Sequence, residues 1–380
     1  MCSDSFVTAA MKSRIAAHAA AFQKATQSPF GSDDEIGMLN LVEGESRRAI
    51  MDRADPSTVY DLSVDNFVGM PGWFGAEDQP YQIWMTHTPR GELADDVMRV
   101  GKASNELVSY SGDSISMYTH TRTHIDALNH FGYHGRIFNG FSVDEHLGSR
   151  AWRKAGVDKH PPIIARGVML DIAALIGVDV LPPSYGIGEA DLRGCLKHQG
   201  TELRPGDVVL IRTGRMRLWP DRTAYLPNPP GINREGAEFL AKAGAMIIGA
   251  DNHCLEQAPS ADPENWQVVH TYLLAEAGVP ILEIANLEEL AQDKVFEFAF
   301  FGACIRLRGA TKARRCARSP CPCAVRSARQ RKGAKRIRLC SAREGALGGS
   351  ERTACPRRRS ERTLLRCSVY GASPLSTKVR

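Results

Sequence analysis

Five of the eleven histidines in this 380-residue chain, His120, His124, His130, His134 and His146, fall within 27 residues, and Asp126 lies among them. Imidazole nitrogens and a carboxylate are natural ligands for Zn, Mn or Fe at neutral pH. The stretch Met117–His134, MYTHTRTHIDALNHFGYH, also spaces them usefully. His124 and Asp126 are two apart, so an extended segment points both to one face. Asp126 and His130 are four apart, so a helical turn starting near Asp126 stacks them on one side. Thr121 and Thr123 alternate with the histidines, as in a strand. A strand passing into a helix at Asp126 therefore brings His120, His124, Asp126 and His130 together around a metal ion. Of the other histidines, His87, His134, His146, His160, His198 and His253 read as ordinary surface or core groups. Downstream, His270 opens a helical run that Gly278 ends, and Glu283 sits in the strand-like Pro280–Ile284. A short turn between helix and strand can return both side chains to one place.

The elements that must position these groups alternate between strand-like and helix-like patterns. Thr58–Leu62, Ile163–Ile172, Val208–Arg212, Ala245–Ala250 and Val295–Leu307 are rich in β-branched and aromatic residues and read as strands. Glu189–His198, Arg234–Ala243 and Trp266–Ala277 carry helical spacing and end near Gly200, Gly244 and Gly278. Four prolines make Arg217–Gly231 a loop, and most of Gly69–Gly101 reads as loop too. The fold class expected is mixed α/β around a central sheet. Trp73, Phe74 and Phe131 offer an aromatic face over a substrate, whereas Trp84 reads as core packing.

Composition changes abruptly at Lys312. Before it stand 28 basic and 40 acidic residues; from it onward stand 20 basic and three acidic ones. Sixteen arginines in 69 residues, with few aromatics and no apolar period, cannot bury enough surface to offset the entropy of ordering, so 312–380 is expected to be a disordered basic tail. It lacks the interleaved aromatics of a single-strand stacking platform, which argues against a nucleic-acid partner. Cys321-Pro-Cys323 matches no paired zinc spacing. Ser5–Gln27 reads as an amphipathic helix rather than a signal peptide. No run approaches the ~18 apolar residues needed to span a bilayer. Four scattered cysteines in the first 311 residues suit a reducing, cytoplasmic setting rather than a disulfide framework.

At its two clusters the chain resembles the cyclase family that includes bacterial kynurenine formamidase and isatin hydrolase. The family motif HxGTHxDxPxH is matched by His120, Thr123, His124, Asp126 and His130, with Arg122 in place of the glycine and Leu128 in place of the proline. FGSDDEIGMLNLV near residue 30, VYDLSVDNFVGMP from Val59, GDVVLIRTG from Gly206 and the His270–Glu283 segment extend the resemblance over about 29–311. It implies a swivelling β/β/α fold, a homodimer, and hydrolysis of small amides and lactams with one or two Zn or Mn ions per chain. By position, His120, His124 and Asp126 would bind one ion. Asp126 would bridge to a second ion held by His270 and Glu283, and His130 would move the proton. Larger relatives run from an LRLxGATG-like strand end to a short finish. Leu307–Thr311 follows that course and the pattern is lost at Lys312, as a shifted reading frame would cause.

The expected chemistry is hydrolysis of a carbon–nitrogen bond in a small aromatic or cyclic amide or lactam. A divalent ion lowers the pKa of its water from about 16 toward about 7, which supplies metal-bound hydroxide. His130, with an ordinary pKa of about 6.5, suits proton transfer to the leaving nitrogen. One rival is an Fe(II) oxygenase using His124, Asp126 and His270 as a facial triad; it leaves His120, His130 and Glu283 without a task. The other is an inactive relative whose basic tail docks nucleic acid.

Overall fold

Neighbouring positions in the apolar runs bury against two different cores, and this alternation builds the sheet. Val168, Leu170, Val209, Ile211, Ile248 and Ala250 join one cluster, while Ile163, Ala165, Met169, Val208, Leu210 and Ile247 join the other. A strand buried on both faces is a near-continuous apolar run, typical of parallel strands covered on each side. The computed structural model describes residues 27–73, 77–314 and 323–324. The expected N-terminal helix, Phe74 and all of the tail beyond Arg314 except 323–324 lie outside the described residues.

The described strands are β1 (Gln82–His87), β2 (Gly112–Ser116), β3 (His124–Asp126), β4 (Ile163–Asp171), β5 (Gly186–Ile187), β6 (Val208–Arg212), β7 (Gly231–Ile232), β8 (Ile247–Ala250), β9 (Ile281–Glu283), β10 (Glu297–Gly302), β11 (Lys312–Arg314) and β12 (Cys323–Ala324). Eight form one mixed sheet in the order β11-β3-β9-β8-β6-β4-β10-β12. Its centre, β9, β8, β6 and β4, is parallel; β3, β11, β10 and β12 add antiparallel pairs at the two ends. The parallel pairs need crossovers. Helices Glu189–Gln199 and Arg234–Lys242 lie in two of them, and bring Leu192, Cys195, Ala237 and Leu240 onto the first core. Each fully buried aliphatic side chain of these cores contributes ~1.5–3 kcal/mol. The fold class is thus mixed α/β, as expected.

Several expected boundaries hold: 208–212 is a strand as read, and the helices at 189 and 234 start where their spacing said. Four do not. Thr58–Leu62 is a strand of none of the described sheets; Val59 makes a lone bridge, and Tyr60 and Leu62 pack as side chains on the second core. The supposed loop 69–101 contains β1 and a helix, Pro89–Asp95, whose N-cap Thr88 accepts the Gly91 N–H. Among the described residues β1 pairs with β2 alone and no layer covers it, and Trp84, read as core, is half exposed. The loop 217–231 holds a short helix, Arg222–Tyr225, capped by Asp221. Finally, Lys312–Arg314 is a strand of the main sheet and not part of an unpaired tail.

Candidate metal centre

Side-chain parity places the site. In β3, Ile125 points into the second core, so His124 and Asp126 point together to the opposite face. In β9, Leu282 joins that same core and Glu283 points the other way. Antiparallel pairing then sets His124 directly opposite Glu283. The Thr123 hydroxyl donates to the Ile284 carbonyl at 2.6 Å and accepts the Val64 N–H, tying β3 to β9 beside the site.

His120, His124, Asp126 and Glu283, all buried, each offer one ligand atom, and these atoms lie within 4.8 Å of one another. His124 Nε2 is 3.2 Å from Asp126 Oδ1 and 3.1 Å from Glu283 Oε2. His120 Nδ1 is also 3.1 Å from Glu283 Oε2 and only 2.5 Å from His124 Nε2. The His124 Nδ1–H donates to the Arg122 carbonyl at 2.6 Å, which leaves Nε2 to face the cluster. That carbonyl is aimed by a left-handed backbone at Arg122, φ +69°, which is the conformation a glycine adopts without strain. The same turn ends the strand: His120 reaches the cluster from a loop, not from an extension of β3. His130 likewise stands on a tight turn, its N–H bonded to the Ala127 carbonyl, and not on the helix expected after Asp126.

His270 approaches from the other side. It ends the short helix Val268–His270, which continues as a π-helical stretch, Thr271–Ala277, closed by Gly278 at φ +66°. Its Nε2 is 3.1 Å from Glu283 Oε1 and 3.9 Å from Asp126 Oδ2. Its Nδ1–H donates to Glu256 Oε1 at 2.6 Å. Glu256 also accepts the Val269 and His270 N–H groups at the start of that helix, where the backbone favours a negative charge. Sequence spacing did not single out Glu256. It comes from a loop, where nothing periodic marks an orienting partner.

Burial alone would strip the histidines of protons, and it pushes His120 and His130 well below their usual pKa, with the Lys312 charge adding to the effect. For His124 and His270 burial is outweighed by the carboxylates they touch, which raise them to about 9 and about 10. Burial opposes ionisation of Glu283, yet His124 and His270 hold its carboxyl well below the usual range. Asp126 is lowered too, by Lys312 against the cost of burial. Both Asp126 oxygens, Glu283 Oε2 and His130 Nε2 are buried and make no hydrogen bond. Buried acceptors without donors are costly, and a cation among them would relieve that cost. The donor set, imidazole and carboxylate, fits Zn or Mn.

All five expected ligands thus lie in one cluster, with His130 Nε2 3.9 Å from Asp126 Oδ2. The Phe131 ring lies 5.0 Å from the His270 ring and 4.6 Å from that of His130. The Trp266 ring, which the sequence did not single out, lies 6.1 Å from that of Phe131, tilted by 59°. Trp73 is half-buried and follows Gly72, whose backbone bridges Thr121 beside His120.

A mixed sheet carrying a buried imidazole–carboxylate cluster at one end defines an α/β protein whose clustered donors are of the types that can hold a metal ion. Residues 60–257 match the family described as "Putative cyclase", and the chain belongs to that family. It is 28% identical over 215 residues to a kynurenine formamidase of Geobacillus thermodenitrificans, covering 56% of this chain and 80% of that one. The crystal structure of a novel cyclase superposes with a TM-score of 0.68 at 28% identity, over 80% of this chain and all of that one. Isatin hydrolase A of Ralstonia solanacearum shares the fold, with a TM-score of 0.51 at 19% identity over 68% of this chain and 89% of its own.

Proposed function

We propose that the chain is a metal-dependent hydrolase that cleaves the carbon–nitrogen bond of a small aromatic or cyclic amide or lactam. The observation that carries this is the convergence of His120, His124, Asp126 and Glu283 with orphaned carboxylate oxygens. The similarity to a kynurenine formamidase supports the bond class. His120, His124, Asp126, Glu283 and His270 would hold Zn or Mn, one or two ions. The ion, when bound, supplies an acidified water and polarises the carbonyl under attack.

The chain's own groups do the rest. His130 is held neutral by burial, and its buried Nε2 makes no hydrogen bond, so it takes a proton from the attacking water and returns it to the leaving nitrogen. Glu256 holds His270 in one tautomer, and the Arg122 carbonyl does the same for His124. Phe131, backed by Trp266, offers an apolar contact beside His130 for an aromatic ring, and Trp73 is proposed to add to it. The Fe(II) triad accounts for neither His120 nor Glu283, both of which belong to the cluster.

We further propose a homodimer in the cytoplasm. The β1–β2 pair and the segment joining its strands support the first: Ile83, Trp84 and Met85 on β1, and Val97, Met98, Leu107 and Val108 between the strands, are exposed apolar side chains of the kind an interface covers. Cys195 and Cys254, both buried thiols outside any disulfide, suit the second. Among the described residues no helix is long and apolar enough to cross a membrane.

Protein purified without chelator is assayed for Zn, Mn and Fe, then tested on N-formylkynurenine, isatin and simple lactones. Stoichiometric Zn or Mn with hydrolysis of an amide or lactam is the expected result. Iron with oxygen consumption, or a folded protein inert with every divalent ion, overturns the assignment.

A further inference from the structure

Lys312 is a residue that composition assigns to the tail and the fold assigns to the site. It sits directly opposite Asp126 across β11 and β3, and the Ala127 N–H, donating to the Thr311 carbonyl at 2.8 Å, holds that register. Directly opposed residues send their side chains to the same face, so Lys312 points into the cluster. Its side chain is 1% exposed, and Nζ stands 3.4 Å from Asp126 Oδ1 without a hydrogen bond to any group. A buried ammonium persists only beside compensating negative charge. Asp126 and Glu283 supply most of it, with a smaller share from Asp78.

Three carboxylates, Asp126, Glu283 and Glu256, touch the histidines of the cluster. When the imidazoles act as neutral ligands, those three negative charges are cancelled by Lys312 and one divalent ion. A second divalent ion would leave a positive excess, two charges over the carboxylates that touch the histidines and one once Asp78 is counted, in a buried space where like charges repel far more strongly than in water. The ammonium also has no lone pair, so it cannot become a ligand. Resting on the metal-hydrolase reading above, we propose that Lys312 is a built-in monovalent cation that takes the place of a second divalent ion, and that the chain therefore loads a single ion.

Full-length wild type, Lys312→Met and Lys312→Arg are stripped of metal and dialysed against ZnCl2 or MnCl2, and bound ions per chain are counted by mass spectrometry. Thermal melts report folding, and Lys312→Gln stands in if the methionine variant does not fold. One ion in wild type and Lys312→Arg, with two in Lys312→Met, is the expected pattern. Two ions in wild type, or one in a folded Lys312→Met, overturns the proposal and leaves the metal reading intact. No ion in any of them overturns the metal reading itself.

Discussion

His124 and Glu283 are direct partners across two antiparallel strands, β3 and β9, with Nε2 of one 3.1 Å from Oε2 of the other. Neither strand holds the cluster alone; the register between them does. Glu283 also reaches His270 through its second oxygen, so it joins the two halves of the site. His124→Ala and Glu283→Gln should each reduce bound metal below about a tenth of an ion per chain and abolish turnover, with the far-ultraviolet circular dichroism unchanged. Retention of a full ion by either variant rules out its residue as a ligand.

His130 separates from the ligands by distance. Its closest carboxylate approach is 3.9 Å, against 3.1–3.2 Å for His124. His130→Ala should therefore keep the metal and lose about 10²–10⁴ in kcat, the usual range for a missing acid/base group, with KM little changed. Loss of the metal together with activity would make His130 a ligand instead.

Glu256 acts through His270. Replacing it with glutamine keeps an acceptor of the same shape but removes the charge that holds Nδ1–H at 2.6 Å. Such orienting partners typically set metal affinity by 10–100-fold. Titration of metal-free Glu256→Gln with Zn should show a weakening in that range, while saturating metal restores most activity. An affinity equal to wild type assigns Glu256 a capping role at the following helix and nothing more.

Local spacing made part of this site legible. His124 and Asp126 share a face because a strand has a period of two, and that is visible in three residues. The nearness of His270 and Glu283 to them followed from resemblance, since strand order is a property of the whole sheet. His120 was placed on a strand because Thr121 and Thr123 alternate with the histidines; the positive φ at Arg122 breaks that strand, and no composition rule foretells it at an arginine. Trp84 has the look of a core residue, but burial depends on a covering layer, and among the described residues β1 has none. Lys312 was hidden in a different way. A basic, unpatterned composition describes the average of a segment, whereas pairing with Asp126 is decided by one register.

His160 shows how burial sets acid sensitivity away from the cluster. Burial lowers its pKa to about 4 from 6.5, against a partial pull upward by Asp158, and its Nε2 has no hydrogen-bond partner. Between these two values the unfolded chain binds more protons than the folded one, so this group's contribution to stability rises with pH. His253, also lowered to about 4 by burial, has the same sign. Asp207 and Asp251 are raised from 3.8 to about 6 by burial, so the folded chain binds the extra protons and stability falls as pH rises through that window. The two pairs nearly offset each other in wild type, which hides the histidine effect in a single pH curve. Comparison with His160→Gln exposes it, because the other three groups remain. From pH 4 to pH 7 urea unfolding should move in favour of wild type, relative to the variant, by about 3 kcal/mol for a shift of this size. Parallel stability curves across that range would mean that His160 enters the folded state as readily charged as neutral.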